Sequence, residues 1–228
     1  MQSRRRWITA FCAAGFLAGV AWAQEQKPQE PAQPAKEDAV QPAPAQPAPV
    51  VAKVGRPAPE FTLLDTAGDK HALADLKDKV VVLVWMNKDC PFIRKCLPEL
   101  KKLAAKHADQ VVWLSIDSTA DRTAEVNAKF VEDEKLPFPV LVDADQKVAR
   151  LYAARTTPHV FVINKGTLVY RGALDNNPNG DKKPGERRPY VDEAVNAVLA
   201  GKTVPLAETP PWGCTVKYKE SKAQKESA

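Results

Sequence analysis

Asp89-Cys90-Pro91 is the segment best suited to chemistry. It follows a continuous apolar, β-branched run, Val80 to Trp85, and precedes a helical pattern. Proline is favoured at the first position of a helix, where its missing N–H would be unpaired anyway. Pro91 therefore places Cys90 at the helix N-cap, with free backbone N–H groups and the positive end of the helix dipole facing its sulfur. Both favour thiolate over thiol. Lys88 and Arg94 add positive charge nearby, and Asp89 opposes them. A cysteine at an arbitrary core position is an inert small hydrophobe. Strand, Cys-Pro, then helix instead predicts a redox nucleophile.

Three other cysteines exist: Cys12, Cys96 and Cys214. Cys96 lies six residues beyond Cys90. In a regular helix six steps turn about 600° and rise about 9 Å. A disulfide needs Cα atoms within roughly 7 Å, so Cys90 and Cys96 cannot pair without local unwinding, and Cys96 reads best as a partly buried helix residue. Cys214 follows Thr209-Pro210-Pro211-Trp212-Gly213, a rigid, turn-rich tail whose aromatic anchor could dock over the fold. A second marker is Thr156-Thr157-Pro158-His159, directly before an apolar strand. A cis peptide at Pro158 would turn the chain towards the Cys90 helix and leave backbone groups free to pair with an extended substrate. His159 reads as a structural strand histidine, and His71 and His107 as surface residues. A copper site would need Cys90, Cys96 and His159 together. No His-x-x-Glu-His, phosphate loop or paired Cys-x-x-Cys pattern occurs, so no metal or other cofactor is called for.

The elements that must position these residues alternate along the chain. Val111–Ile116, Pro139–Val142 and Val160–Ile163 are apolar runs like Val80–Trp85, as expected of strands covered on both faces. Leu97, Leu100, Leu103 and Ala104 repeat at helical spacing. Ala124–Glu134 is a second helix, with Asp121 as its expected N-cap. Val191, Ala194, Val195, Val198 and Leu199 mark a third, stopped by Gly201. Leu168–Arg171 adds a strand after a Lys165-Gly166 turn. The order β-α-β-α-β-β-α gives an α/β fold with a central mixed sheet and helices on both faces. Asp175–Pro189 is polar and expected to be a solvated loop.

The 228 residues divide unevenly. Residues 1–23 carry Arg4-Arg5-Arg6, an apolar stretch, and Ala21-Trp22-Ala23 before Gln24, the pattern of a cleaved export signal. That stretch is short for a membrane span of about 20 residues, so membrane attachment is expected only if the signal stays uncleaved. Residues 24–53 form a linker; seven Pro, six Ala and six Gln fill its first 27 positions. Residues 54–204 make the domain, and 205–228 the tail. Losing the signal takes away three arginines and no acid, lowering the formal charge from +5 to +2. Nothing then argues for nucleic acid. Three cysteines remain, an odd number that leaves one free or paired between molecules.

Lys53–Val204 resembles a thioredoxin-fold redoxin of the alkyl hydroperoxide reductase/thiol-specific antioxidant (peroxiredoxin-like) superfamily. The resemblance rests on Val54-Gly55-Arg56-Pro57-Ala58-Pro59-Glu60-Phe61-Thr62-Leu63, on Asp89-Cys90-Pro91, and on Thr157-Pro158 with Val160-Phe161-Val162-Ile163. Trp212-Gly213-Cys214-Thr215-Val216-Lys217 is similar to a tail found in a peroxiredoxin-like branch of exported redoxins. The resemblance implies a thioredoxin-like fold and thiol redox chemistry with Cys90 as nucleophile. It also implies a paired or resolving role for Cys214, with Cys96 as the other thiol that could resolve; a static tail-tying disulfide and a free thiol are the alternatives. Two departures stand out. Position 93, where Cys-x-x-Cys redoxins carry their second cysteine, is Ile. The peroxiredoxin pattern Pro-x-x-x-Thr-x-x-Cys has Leu83 and Asn87 at its Pro and Thr positions, and Arg155 is out of register for a peroxide-orienting arginine. The expected activity is thiol–disulfide exchange in the periplasm or outside the cell. Its partners would be an external thiol reductant or a disulfide-bearing protein. A thiol peroxidase acting on peroxide, a copper-binding module and a degenerate redoxin binding module are the alternatives.

Overall fold

The computed structural model describes residues 51–183 and 185–220; the expected signal and most of the linker lie outside them. The core is a five-stranded mixed sheet in the order β5-β4-β3-β7-β8. The strands are β3 (Val80–Trp85), β4 (Val111–Asp117), β5 (Val140–Val142), β7 (His159–Asn164) and β8 (Thr167–Gly172). β3, β4 and β5 run parallel, joined by α1 (Pro91–Lys106) and α2 (Ala124–Glu134). β7 lies antiparallel to β3, and β8 to β7.

Successive side chains of β3 point to opposite faces, and both faces are covered. Val82 and Val84 pack against Ile93, Leu97 and Leu100 of α1, Phe130 of α2 and Val195 of α4 (Tyr190–Leu199). Val81, Leu83 and Trp85 pack against Ala149 and Tyr152 of α3 (Lys147–Tyr152) and against Phe61. This double burial is why the strand sequences are continuously apolar rather than alternating.

Smaller elements frame this core. β1 (Thr62–Leu64) and β2 (Lys70–Ala72) form a hairpin, followed by a 3-10 turn at Leu73–Leu76. β6 (Thr156–Thr157) pairs antiparallel with β9 (Cys214–Thr215), so the tail returns to the centre of the molecule. Before that it runs beside edge strand β8, where Arg171 N donates to Ala207 O and Thr209 N to Arg171 O. Among the described residues no helix is long and apolar enough to cross a membrane.

Several expectations need correcting. Ala52 is 2% exposed and its N–H donates to Leu151 O, so the folded region reaches into the end of the expected linker. The N-cap of α2 is Thr123; Asp121 sits two residues earlier at φ 61°, outside the helix. His107 is buried at the end of α1, where its Nε2 meets Asp192 of α4 at 2.9 Å. The polar loop opens on a buried residue, Asp175, which takes an ion pair from Arg187 at 2.6 Å.

Candidate active site

Cys90 is the N-cap of α1 and Pro91 its first residue, as Cys-Pro at the end of a strand dictates. The Thr157–Pro158 peptide is cis. It sets Thr157 beside the helix start, where the Cys90 thiol donates to Thr157 O at 3.0 Å. β9 closes the third side: Thr157 pairs with Cys214, and the two sulfurs, Cys90 Sγ and Cys214 Sγ, lie 2.6 Å apart. The structure thus brings Cys90, Cys214, Pro91, Thr157 and Pro158 to one point.

The pair is electrostatically unequal. Cys90 is only 3% exposed, and burial alone would favour its neutral thiol. Hydrogen bonds from the Cys214 thiol, the Thr157 hydroxyl and the backbone N–H groups of Ile93 and Cys214 outweigh that cost and hold the Cys90 thiol below its ordinary range. Cys214 goes the other way. Burial, the hydrogen bond to Cys90 and the Cys90 charge push it up to about 11. Of the two thiols, Cys90 gives up its proton the more readily and Cys214 keeps its own.

Other candidates fall outside this centre. Cys96 is buried within α1, where its thiol donates to Ile93 O at 3.5 Å. Burial first, and then the charges of Asp175 and Cys90, push its thiol far above the normal range. Arg94 is exposed on α1 and is not among the main influences on Cys90. Lys88 is engaged by Asp89 at 2.7 Å, and Arg122 takes the other carboxylate oxygen at 2.8 Å, which neutralises the acid beside the thiol. His159 is buried and accepts the Arg155 N–H on Nδ1; burial, Arg155 and Arg171 push its pKa down to about 3. Arg155 and His159 line a separate cavity with Arg171 and Glu208. Among the described residues no three His, Cys, Asp or Glu side chains cluster in a way that would hold a metal ion.

Four further residues contribute. Gln146, 1% exposed, donates to Ser118 O and Lys217 O and accepts the Lys219 N–H, clamping the tail beyond Cys214. Gly213 at φ 130° lies so close to the Thr157 carbonyl that any Cβ would overlap it. Asp117 and Ser118, at the end of β4, line a cleft of about 440 Å³ that reaches Cys90 and Cys214. Only the glycine beside a cysteine carries a sequence signal for its role; the others depend on long-range packing.

A sheet of this topology with a cysteine at an α1 N-cap and a cis-proline loop against it defines a thioredoxin-like thiol redox protein. Comparison with known proteins narrows this. Residues 54–171 match the model of the AhpC/TSA family, and the chain belongs to that family. It is 34% identical over 117 residues to the thiol-disulfide oxidoreductase ResA of Bacillus anthracis, covering 51% of this chain and 67% of that protein. It is 31% identical to the thioredoxin-like protein YneN of Bacillus subtilis, over 50% of this chain and 68% of that one. A solved structure of a hypothetical protein from Sinorhizobium meliloti matches with a TM-score of 0.67 at 31% identity, covering 74% of this chain and 96% of that one. An uncharacterized conserved protein from Geobacillus kaustophilus gives the same TM-score at 32% identity, over 74% and 94%. The chain is a thiol–disulfide oxidoreductase. The family match ends before the tail, so Cys214 lies outside it.

Proposed function

We propose that the chain is an exported thiol–disulfide oxidoreductase in which Cys90 is the nucleophile and Cys214 the resolving thiol. The observation that carries this reading is the pair itself: a favoured thiolate at a helix N-terminus with a second thiol 2.6 Å away on a docked tail. Cys90 thiolate attacks a substrate disulfide and expels one thiolate, leaving a mixed disulfide. Capping Cys90 removes its negative charge, one of the influences holding Cys214 protonated. Cys214 then loses its proton more readily, attacks Cys90, and expels the second substrate thiol. An external thiol reductant restores the pair. In the oxidised protein Cys214 is the more exposed sulfur and so the accessible point of attack, with the lower-pKa Cys90 leaving.

Mass spectrometry after mixing the reduced protein with a disulfide tests this. The expected result is a transient adduct on Cys90, replaced by a Cys90–Cys214 linkage, with Cys214→Ser trapping the adduct. A Cys96–Cys214 linkage with Cys90 free throughout would overturn it. Export rests on residues 1–23; the mature protein recovered from a periplasmic fraction is expected to begin at Gln24.

A further inference from the structure

We propose that this site serves low-molecular-mass disulfides and excludes extended polypeptides, because the chain's own tail fills the backbone edge a polypeptide would use. The inference rests on the Cys90–Cys214 reading above and adds the substrate class.

An extended client docks on a sheet edge by forming main-chain hydrogen bonds to it. The edge beside Cys90 is Thr156–Thr157, and β9 already pairs with it, Thr156 with Thr215 and Thr157 with Cys214. Cys214 occupies the position where a client cysteine would meet Cys90.

The tail is secured on both sides of that cysteine. Upstream, the Thr209 hydroxyl pairs with the Tyr170 hydroxyl at 2.7 Å and accepts the Ala173 N–H at 2.9 Å. Gly172 faces Thr209 so closely that a Cβ would overlap it. Trp212 Nε1 donates to Asp175 O at 2.7 Å, and its ring packs on Phe92. Downstream, Val216 N donates to Arg155 O, and the Tyr218 hydroxyl donates to Ala154 O at 2.7 Å, with Ala149 O 3.0 Å away. Gln146 holds Lys217 and Lys219. Baring β6 for a client strand would require most of these bonds to break together.

The cleft that stays open is small. Its volume is about 440 Å³, and Asn87, Asp117, Ser118 and Thr119 line it beside the two sulfurs. That size matches small-molecule pockets, which run from roughly 300 to 1,000 Å³. The reaction balances with the groups present. Cys90 thiolate and Cys214 thiol together give up two electrons and one proton. The substrate R–S–S–R accepts them and leaves as one RSH and one RS⁻, while the Cys90–Cys214 bond forms.

The test compares two probes with the same leaving group. One is hydroxyethyl disulfide. The other is an unstructured peptide whose cysteine is disulfide-bonded to 2-mercaptoethanol. Formation of the Cys90 adduct is timed in the reduced full-length protein. Hydroxyethyl disulfide is expected to react at least about tenfold faster, and Trp212→Ala, checked for fold by circular dichroism, should narrow the gap. Equal rates in the unaltered protein would overturn the substrate class and leave the two-cysteine reading standing. If neither probe reacts at Cys90, that reading falls and this inference with it.

Discussion

Cys90 and Cys96 occupy the same helix six residues apart, and their surroundings drive them in opposite directions. Both are nearly inaccessible, so exposure does not distinguish them. Cys90 has hydrogen-bond donors: the Cys214 thiol, the Thr157 hydroxyl, and two backbone N–H groups at a helix start. Cys96, a turn and a half into the same helix, has the Ile93 carbonyl, which can accept but never donate. Several donors outweigh burial at Cys90, whereas at Cys96 burial prevails over a single backbone N–H, its own. Asp175 near Cys96 deepens the contrast by adding a like charge.

Removing each sulfur in turn separates the two cysteines most clearly. Cys90→Ser is expected to reduce disulfide exchange by a thousandfold or more, on the order seen when a nucleophile is lost. Cys96→Ala should leave the rate within about twofold, since its thiol bonds the Ile93 carbonyl and neither of the paired sulfurs. Comparable losses from the two substitutions would refute the contrast.

A smaller effect isolates the donors. Cys214→Ala takes away one hydrogen bond to the Cys90 sulfur, so the thiolate is less favoured and the pKa rises. Alkylation of Cys90 by iodoacetamide at slightly acid pH should slow several-fold, and the whole rate profile should move towards alkaline pH. A profile that stays put would mean that the helix terminus alone activates Cys90.

The smallest effect belongs to Cys96. Its folded-state pKa is raised, so its contribution is complete below the unfolded thiol value of about 8.5. It drains away as pH rises beyond that, because the unfolded chain releases the proton first. Urea unfolding from pH 7.5 to 9.5 should show stability falling by at most about 1.4 kcal/mol per pH unit from this group. Cys96→Ala should remove that part of the slope.

Much of this arrangement could be read directly from the chain. The apolar strands are continuous runs because both their faces are covered, and α1 and α4 have periodic patterns because each buries one face against the sheet. Cys-Pro after a strand placed Cys90 at the N-cap of α1. What escaped was short or assembled from distant segments. α3 is six residues long, too brief to show helical periodicity, and begins after Gln146 in a left-handed conformation. β6 and β9 have two residues each and exist only because the tail meets the cis-proline loop. His107 looked exposed because its neighbours are polar; its partner Asp192 lies 85 residues away. Arg94 looked helpful from its closeness in sequence, but the donors that act on Cys90 are the Cys214 thiol, a threonine hydroxyl and backbone groups.

The span between the paired sulfurs has one further consequence. Cys90 and Cys214 are 124 positions apart, so a bond between them closes a ring around most of the domain. Cross-linking so long a loop restricts the unfolded chain, an effect worth about 4–5 kcal/mol in the chain-entropy model. Each catalytic turn would then alternate the molecule between a covalently stapled form and an unstapled one. The oxidised pool would resist heat and proteolysis longer than the reduced pool. The supply of reductant would therefore set the lifetime of the protein as well as its rate of turnover.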